Sequence, residues 1–107
     1  MDKSSSAVYI LTNRANKVLY TGSTVELVGR VWKHKTKFFL NAFTAKYNVD
    51  KLVYFEIFDR IENAAKREKQ IKAGSRQKKI DLINSMNPKW KDLSEEWYER
   101  FVLFRVD

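Results

Sequence analysis

Val8-Tyr9-Ile10-Leu11-Thr12, then Asn13-Arg14-Ala15-Asn16-Lys17, then Val18-Leu19-Tyr20-Thr21 is the stretch that decides the fold. Two short runs of β-branched and aromatic residues flank a polar, turn-forming pentapeptide, and this pattern predicts a β-hairpin. Pairing about a turn centred near Arg14 and Ala15 would set Tyr9 opposite Tyr20, so that two phenols share one face. Gly22 follows at once and removes a side chain where the strand opens toward a helix, serving either a special backbone angle or the close approach of a ligand.

Downstream of the hairpin, Ser23 and Glu26 have the spacing of a capping box, and Leu27, Val31 and Phe38 recur at helical spacing, which predicts a helix over residues 25–39. A polar, aromatic-dotted connection over residues 41–48 leads to Lys51-Leu52-Val53-Tyr54-Phe55-Glu56-Ile57-Phe58, whose composition predicts a third strand paired with the hairpin. Asp59 and Glu62 repeat the acceptor-then-glutamate pattern and Gly74 is placed to close the segment, so a helix is predicted over residues 59–73. Residues 75–86 continue as a shorter amphipathic helix with Ile80, Leu82, Ile83 and Met86 apolar, stopped by Asn87-Pro88. The tail from Ser94 is expected to form a further helix. The fold class is therefore α+β: a small three-stranded antiparallel sheet flanked by helices, one domain over residues 1–107 with its core at about 7–93 and a helical tail at 94–107.

With 107 residues the chain has room for one core of independent stability, and 44% hydrophobic with 14% aromatic residues is enough to build it. Twenty-one Lys and Arg against thirteen Asp and Glu leave a net charge of +8, which points to a polyanionic partner. Charge does not separate nucleic acid from a membrane surface, nor DNA from RNA; a site has to do that. The absence of cysteine rules out disulfides, thiol nucleophiles and thiolate-held zinc, so a metal must sit on oxygen or on the single histidine. The first six residues lack the apolar run of a signal peptide, and no stretch approaches the roughly 20 apolar residues of a membrane span, so the expected location is the cytoplasm.

Three features look chemical. On the helix from Asp59, the apolar residues Ile61, Ala64, Ala65 and Ile71 define one stripe, and Glu68 falls on it. A carboxylate aimed at a core must neutralise, find a cationic partner or bind a metal; a salt bridge to one of the many lysines or arginines is one answer, and a hard cation that takes oxygen ligands is the other. Arg30 and His34 stand four apart on the first helix and so share a face. Either residue alone reads as a surface or packing residue, but together they suit a phosphate ester, one through bidentate contact and the other through proton transfer near neutral pH. Tyr9 and Tyr20 alone read as cross-strand packing.

In this order the motifs resemble the GIY-YIG nuclease superfamily. Val8-Tyr9-Ile10 resembles its first motif and Tyr20-Thr21-Gly22 its second; Gly22-Ser23-Thr24 with Leu27, Arg30 and His34 resembles the helix that follows. Arg67-Glu68-Lys69-Gln70-Ile71-Lys72 resembles the segment carrying the metal-binding glutamate. The match covers residues 7–93 and is similar to the compact single-domain members, of the kind found at the N-terminus of excinuclease C, whose ends look like Ser75-Arg76, Lys78-Lys79-Ile80 and Asn87-Pro88-Lys89-Trp90. Val8 stands where the family has its leading glycine and Thr21 where it has isoleucine; both departures spare the tyrosines.

The resemblance implies a DNA endonuclease. Glu68 would hold one Mg²⁺ or Mn²⁺ that polarises the scissile phosphate, Arg30 would neutralise charge developing on it, Tyr9 would position the attacking water, and Tyr20 or His34 would accept its proton. The late asparagine that shapes the family's site falls at Asn87, with Asn84 as the alternative. Lys33, Lys35 and Lys37, with Lys72, Arg76, Lys78 and Lys79, would line a groove for the phosphate backbone. With no recognition helix or zinc finger in the chain, cleavage is expected to follow DNA structure more than sequence, in repair or recombination. The rival reading is a binding module of the same fold that acts with a partner. An aromatic stripe of Trp97, Phe101 and Phe104 in the tail would supply a surface for such a partner or for a second copy.

Overall fold

The β-branched and aromatic runs become strands because their alternate residues have two apolar layers to fill. A computed structural model of the chain describes residues 6–38 and 42–99. Strand β1 (Ser6–Thr12) is buried along its whole length and lies between β2 (Leu19–Thr24) and β3 (Lys51–Phe58), both antiparallel to it, in the order β2-β1-β3. The strand predicted over residues 51–58 is thus found at the sheet's far edge. A register shift against β3 between Ile10 and Leu11 leaves Val53 as the extra residue, and Val53 and Tyr54 consequently pack on the same side of the sheet.

Side chains alternate between two cores. Ala7, Tyr9 and Leu11 meet Leu27 and Val31 of helix α1 (Leu27–Lys35), together with Val49 and Tyr98. Val8 and Ile10 point the other way, to Ile71 of α3 (Ile61–Ala73) and Ile83 of α4 (Arg76–Met86). A single turn of helix, α2 (Phe43–Lys46), lies within the connection between α1 and β3.

Several expected boundaries move for local reasons. The α1 cap is Glu26, whose side chain accepts from Gly29 N at 2.7 Å, and not Ser23, whose hydroxyl is committed elsewhere. The helix stops at Lys35, short of the expected end, because Lys37 turns to φ 57° and Phe38 N reaches back to Lys33 O; residue 39 lies outside the described residues. Asp59 caps nothing; the N-cap of α3 is Arg60, with no side-chain bond. Gly74 and Ser75 do serve as the end of α3 and the cap of α4, Ser75 Oγ accepting from Lys78 N at 3.1 Å. Residues 93–98 form successive turns, and the expected tail helix otherwise falls outside the described residues, as do Phe101 and Phe104. Trp97 packs inward, its ring 6.1 Å from Phe55. Among the described residues no helix is long and apolar enough to cross a membrane.

Candidate functional site

The hairpin register brings Tyr9 opposite Gly22 and Leu11 opposite Tyr20. The two tyrosines are therefore diagonal neighbours and not a facing pair, because the connecting loop is centred about one residue later than the pentapeptide suggests: Asn13 Oδ1 accepts from Lys17 N and Val18 N, and Asn16 takes φ 60°. Diagonal placement still leaves both phenols on the α1 side, with ring centroids 6.4 Å apart. Gly22 makes this possible. A Cβ there would lie 2.7 Å from Tyr9 Oη and 2.8 Å from Cζ, so the Tyr9 ring occupies the space a side chain would need.

His34 completes the cluster, its ring 6.0 Å from that of Tyr9 and 5.7 Å from that of Tyr20. Its Nε2 lies 3.2 Å from Tyr9 Oη, and its Nδ1 lies 3.0 Å from Thr44 Oγ1 on α2. Burial, reinforced by the positive charge of Arg30, lowers the His34 pKa to about 4, so the imidazole is neutral at pH 7. Burial also pushes the Tyr9 phenol up to about 12, with Tyr20 adding to the rise and Arg30, through its charge and a hydrogen bond, opposing it. Arg30, His34 and Tyr20 line an open cleft of about 320 Å³ whose other wall is Ala42, Phe43 and Thr44.

Glu68 approaches from the other face. Ser23 alternates with Gly22 along β2, so its hydroxyl points to the α3 side, where it donates to Glu68 Oε1 at 2.5 Å. Lys72, one turn on, pairs with Oε2 at 2.6 Å. Burial pushes the Glu68 carboxyl up, but the hydrogen bonds from Lys72 and Ser23 and the charge of Lys72 outweigh it and hold its pKa below the usual value. The salt-bridge answer to this carboxylate is therefore realised, and the group is ionised. Glu68 still acts on Tyr9 through its charge, so the two faces communicate across β2, the edge strand.

Other expected site residues lie elsewhere. Asn87 is buried under the turn after α4, where Nδ2 donates to Val53 O and Lys91 O and Oδ1 accepts from Lys91 N. Its amide is spent on the fold, and Asn84 accepts from Trp90 Nε1; neither lines the cleft. Lys35 is also withdrawn from any groove, because its ammonium pairs with Asp92 at 2.5 Å and donates to Asp50 O. Lys33, Lys37, Lys72, Arg76 and Lys78 are exposed, Arg76 donating to Lys17 O and Lys79 to Gly74 O. Two participants were not legible beforehand: Thr44, ten residues beyond the histidine it holds, and Ser23, whose capping-box spacing pointed to a different task. Among the described residues no three His, Asp or Glu side chains gather into a metal cage, so a cation at Glu68 would draw its remaining ligands from water and substrate.

Comparison with known proteins finds relatives and a solved structure of similar fold. The family model described as the GIY-YIG catalytic domain matches residues 5–81. A UPF0213 protein of Syntrophus aciditrophicus is 39% identical over 85 residues, covering 79% of this chain and 95% of its own. One from Clostridium perfringens is 39% identical over 99 residues, covering 89% and 95%. The solution NMR structure of a UPF0213 protein from Bacillus halodurans superimposes with a TM-score of 0.53 at 26% identity, over 85% of this chain and 95% of that one.

Proposed function

This chain belongs to the GIY-YIG nuclease family, and on that premise we propose that it is a divalent-metal-dependent endonuclease hydrolysing phosphodiester bonds in DNA. The observation that carries the reading is the gathering of Tyr20, Arg30 and His34 at one cleft, with Tyr9 buried against His34 and an ionised Glu68 across the same edge strand.

The donor set fits a hard cation. One ionised carboxylate, part-buried and oriented by Ser23, suits Mg²⁺ or Mn²⁺, which bind through one or two carboxylates and keep several waters. Lys72 already places positive charge on that carboxylate through a long, 54% exposed side chain that can swing aside. A cation bound there supplies Lewis-acid stabilisation of charge on the phosphate and its leaving oxygen.

The chain's own residues do the rest. Arg30 presents a permanently charged planar fork to the non-bridging phosphate oxygens, where it offsets the charge that grows during attack. Tyr9, protonated throughout the neutral range, directs its proton to His34 Nε2 when Nδ1–H of the ring donates to Thr44, and its oxygen accepts from Arg30, so this buried phenol holds the imidazole and the guanidinium in place beside the attacking water. His34 is a positioning residue in this scheme, since Tyr9 and Thr44 engage both its nitrogens. That leaves Tyr20, on the cleft wall, to relay the water's proton, its hydroxyl passing its own proton to solvent as it accepts the one from the water. Lys33, Lys37, Lys72, Arg76, Lys78 and Lys79 contribute charge for the backbone, without reading sequence.

Supercoiled plasmid and branched DNA oligonucleotides, incubated with Mg²⁺ or Mn²⁺, test the reading. Wild type is expected to cut in a metal-dependent way, and Glu68→Ala and Arg30→Ala to cut at least roughly 10²–10³-fold more slowly. Metal-dependent thermal stabilisation should vanish in Glu68→Ala. Cutting by Glu68→Ala at the wild-type rate overturns the assignment; binding without cutting by wild type favours a binding module that works with a partner.

A further inference from the structure

The wall of the cleft opposite Arg30 carries an aromatic pair that the hydrolytic scheme does not use. Phe43 and Tyr47 sit one turn apart on and just after α2, with ring centroids 4.8 Å apart, and remain 51% and 46% exposed. Phe43 lines the cleft itself. Phe38, 64% exposed at the end of α1, has Lys33 Nζ at 5.0 Å from its ring centroid, and Lys46 Nζ lies 5.5 Å from that of Tyr47. The rings are not on a loose loop: His34 Nδ1 and Thr44 Oγ1, 3.0 Å apart, tie α2 to α1, and Lys37 Nζ donates to Asn48 Oδ1 just beyond Tyr47.

Exposed aromatic faces rimmed by ammonium groups have one natural occupant beside a phosphate site. A nucleobase in a duplex has both faces covered by its neighbours, whereas an unpaired base has a face to offer; stacking on an aromatic side chain contributes roughly 1–3 kcal/mol per base, and cationic grooves follow the attached backbone. A protein partner would have less reason to meet aromatic rings ringed by lysines in a chain of net charge +8. We propose that Phe43 and Tyr47, with Phe38 and the rim lysines 33, 37 and 46, form a stacking platform for an unpaired DNA base next to the phosphate held in the cleft, which makes single-stranded or locally unpaired DNA the substrate class. The inference rests on the nuclease reading for the identity of that phosphate, while base stacking itself needs no cleavage.

The test is therefore a binding measurement without divalent cation. A single-stranded oligonucleotide carrying 2-aminopurine and a blunt duplex of the same sequence are titrated with wild type, with Phe43→Ala/Tyr47→Ala, and with Phe43→Leu/Tyr47→Leu, which keeps the apolar bulk and removes the π faces. Wild type should bind the single strand with a change in 2-aminopurine fluorescence, and both double variants should lose roughly 10- to 100-fold in single-strand affinity while duplex affinity moves less than about twofold. Circular dichroism checks folding; should the alanine variant fail to fold, the leucine variant decides. Unchanged single-strand binding, or an equal loss on duplex, overturns the proposal. Wild type that stacks the base but cuts no DNA leaves the platform standing and removes the nuclease reading; cutting with no dependence on the two rings does the reverse.

Discussion

The two walls of the site are held by different physics. Tyr9 is fully buried, its ring lying in the space over Gly22 and its hydroxyl against His34, so neither residue has another place to go. Glu68 stands 20% exposed on the other side of the sheet and is held by a serine hydroxyl and by a lysine that is itself 54% exposed. One wall is fixed by packing, the other by polar contacts that can exchange. The difference suits the two tasks: water and phosphate must be met with little error, whereas a cation must be able to enter and leave.

Breaking the packed wall should have the largest effect. Gly22→Ala places a Cβ 2.7 Å from Tyr9 Oη and 3.2 Å from Tyr20 Cε2, and a fully buried ring has no outward path. Displacement by about 1 Å is enough to cost roughly 10²-fold in rate, and overpacking should cost about 1–3 kcal/mol of stability. Gly29→Ala is the control, because its Cβ would meet only the flexible end of Glu26, at 2.3 Å from Oε1. The lost cap, worth ~1 kcal/mol, is offset by the similar gain in helix propensity. Plasmid cleavage and urea denaturation of the two variants check this; equal behaviour would mean that Gly22 is not a steric requirement.

The same division marks what could be read in advance. Three elements that depend on periodicity and composition were legible: the strand at residues 51–58, the helix ended by Gly74, and the segment from Ser75 to Asn87. The presence of Arg30 and His34 on one face was legible as well, since a four-residue spacing fixes it. What depends on a distant partner was not. Ser23 and Glu26 have capping-box spacing, but the serine hydroxyl finds a carboxylate 45 residues away. Lys35 looks like any basic residue of a groove until Asp92, 57 residues on, claims it. The hairpin register slipped for a local reason of the same type, since Asn13 spends its side chain on two backbone N–H groups and shifts the loop.

A second way to probe the packed wall is by pH. The folded pKa of His34, about 4, lies below the ordinary 6.5, so the unfolded chain binds the extra proton first. Stability from this group is therefore complete above pH 6.5 and is lost as pH falls toward 4, with an amplitude on the order of 3 kcal/mol. Glu68 and Asp92, whose pKa values are lowered in the fold, contribute stability that is present above the ordinary carboxylate pKa and is lost as pH falls from there toward their lowered values. Denaturant titrations between pH 4.5 and 7.5 should show the His34 slope in wild type and a flat line in His34→Gln; a slope that survives the substitution would place the titration on another group.

The exchangeable wall gives the smallest effect and the sharpest contrast. Lys72→Met removes an i,i+4 ion pair that is half in solvent, so stability should move by no more than about 0.5 kcal/mol. The same substitution leaves Glu68 with Ser23 alone and no ammonium in competition for its oxygens, so divalent-cation affinity, read from metal-dependent shifts in Tm, should rise a few-fold. It also removes the hydrogen bond and charge that hold the Glu68 carboxyl down, leaving burial less opposed, so its pKa rises. Because a proton and a cation compete for the same carboxylate, the pH below which metal binding fails should move upward. A fall in affinity at pH 7 would instead mean that Lys72 holds the carboxylate in its binding geometry, and that the second wall is as fixed as the first.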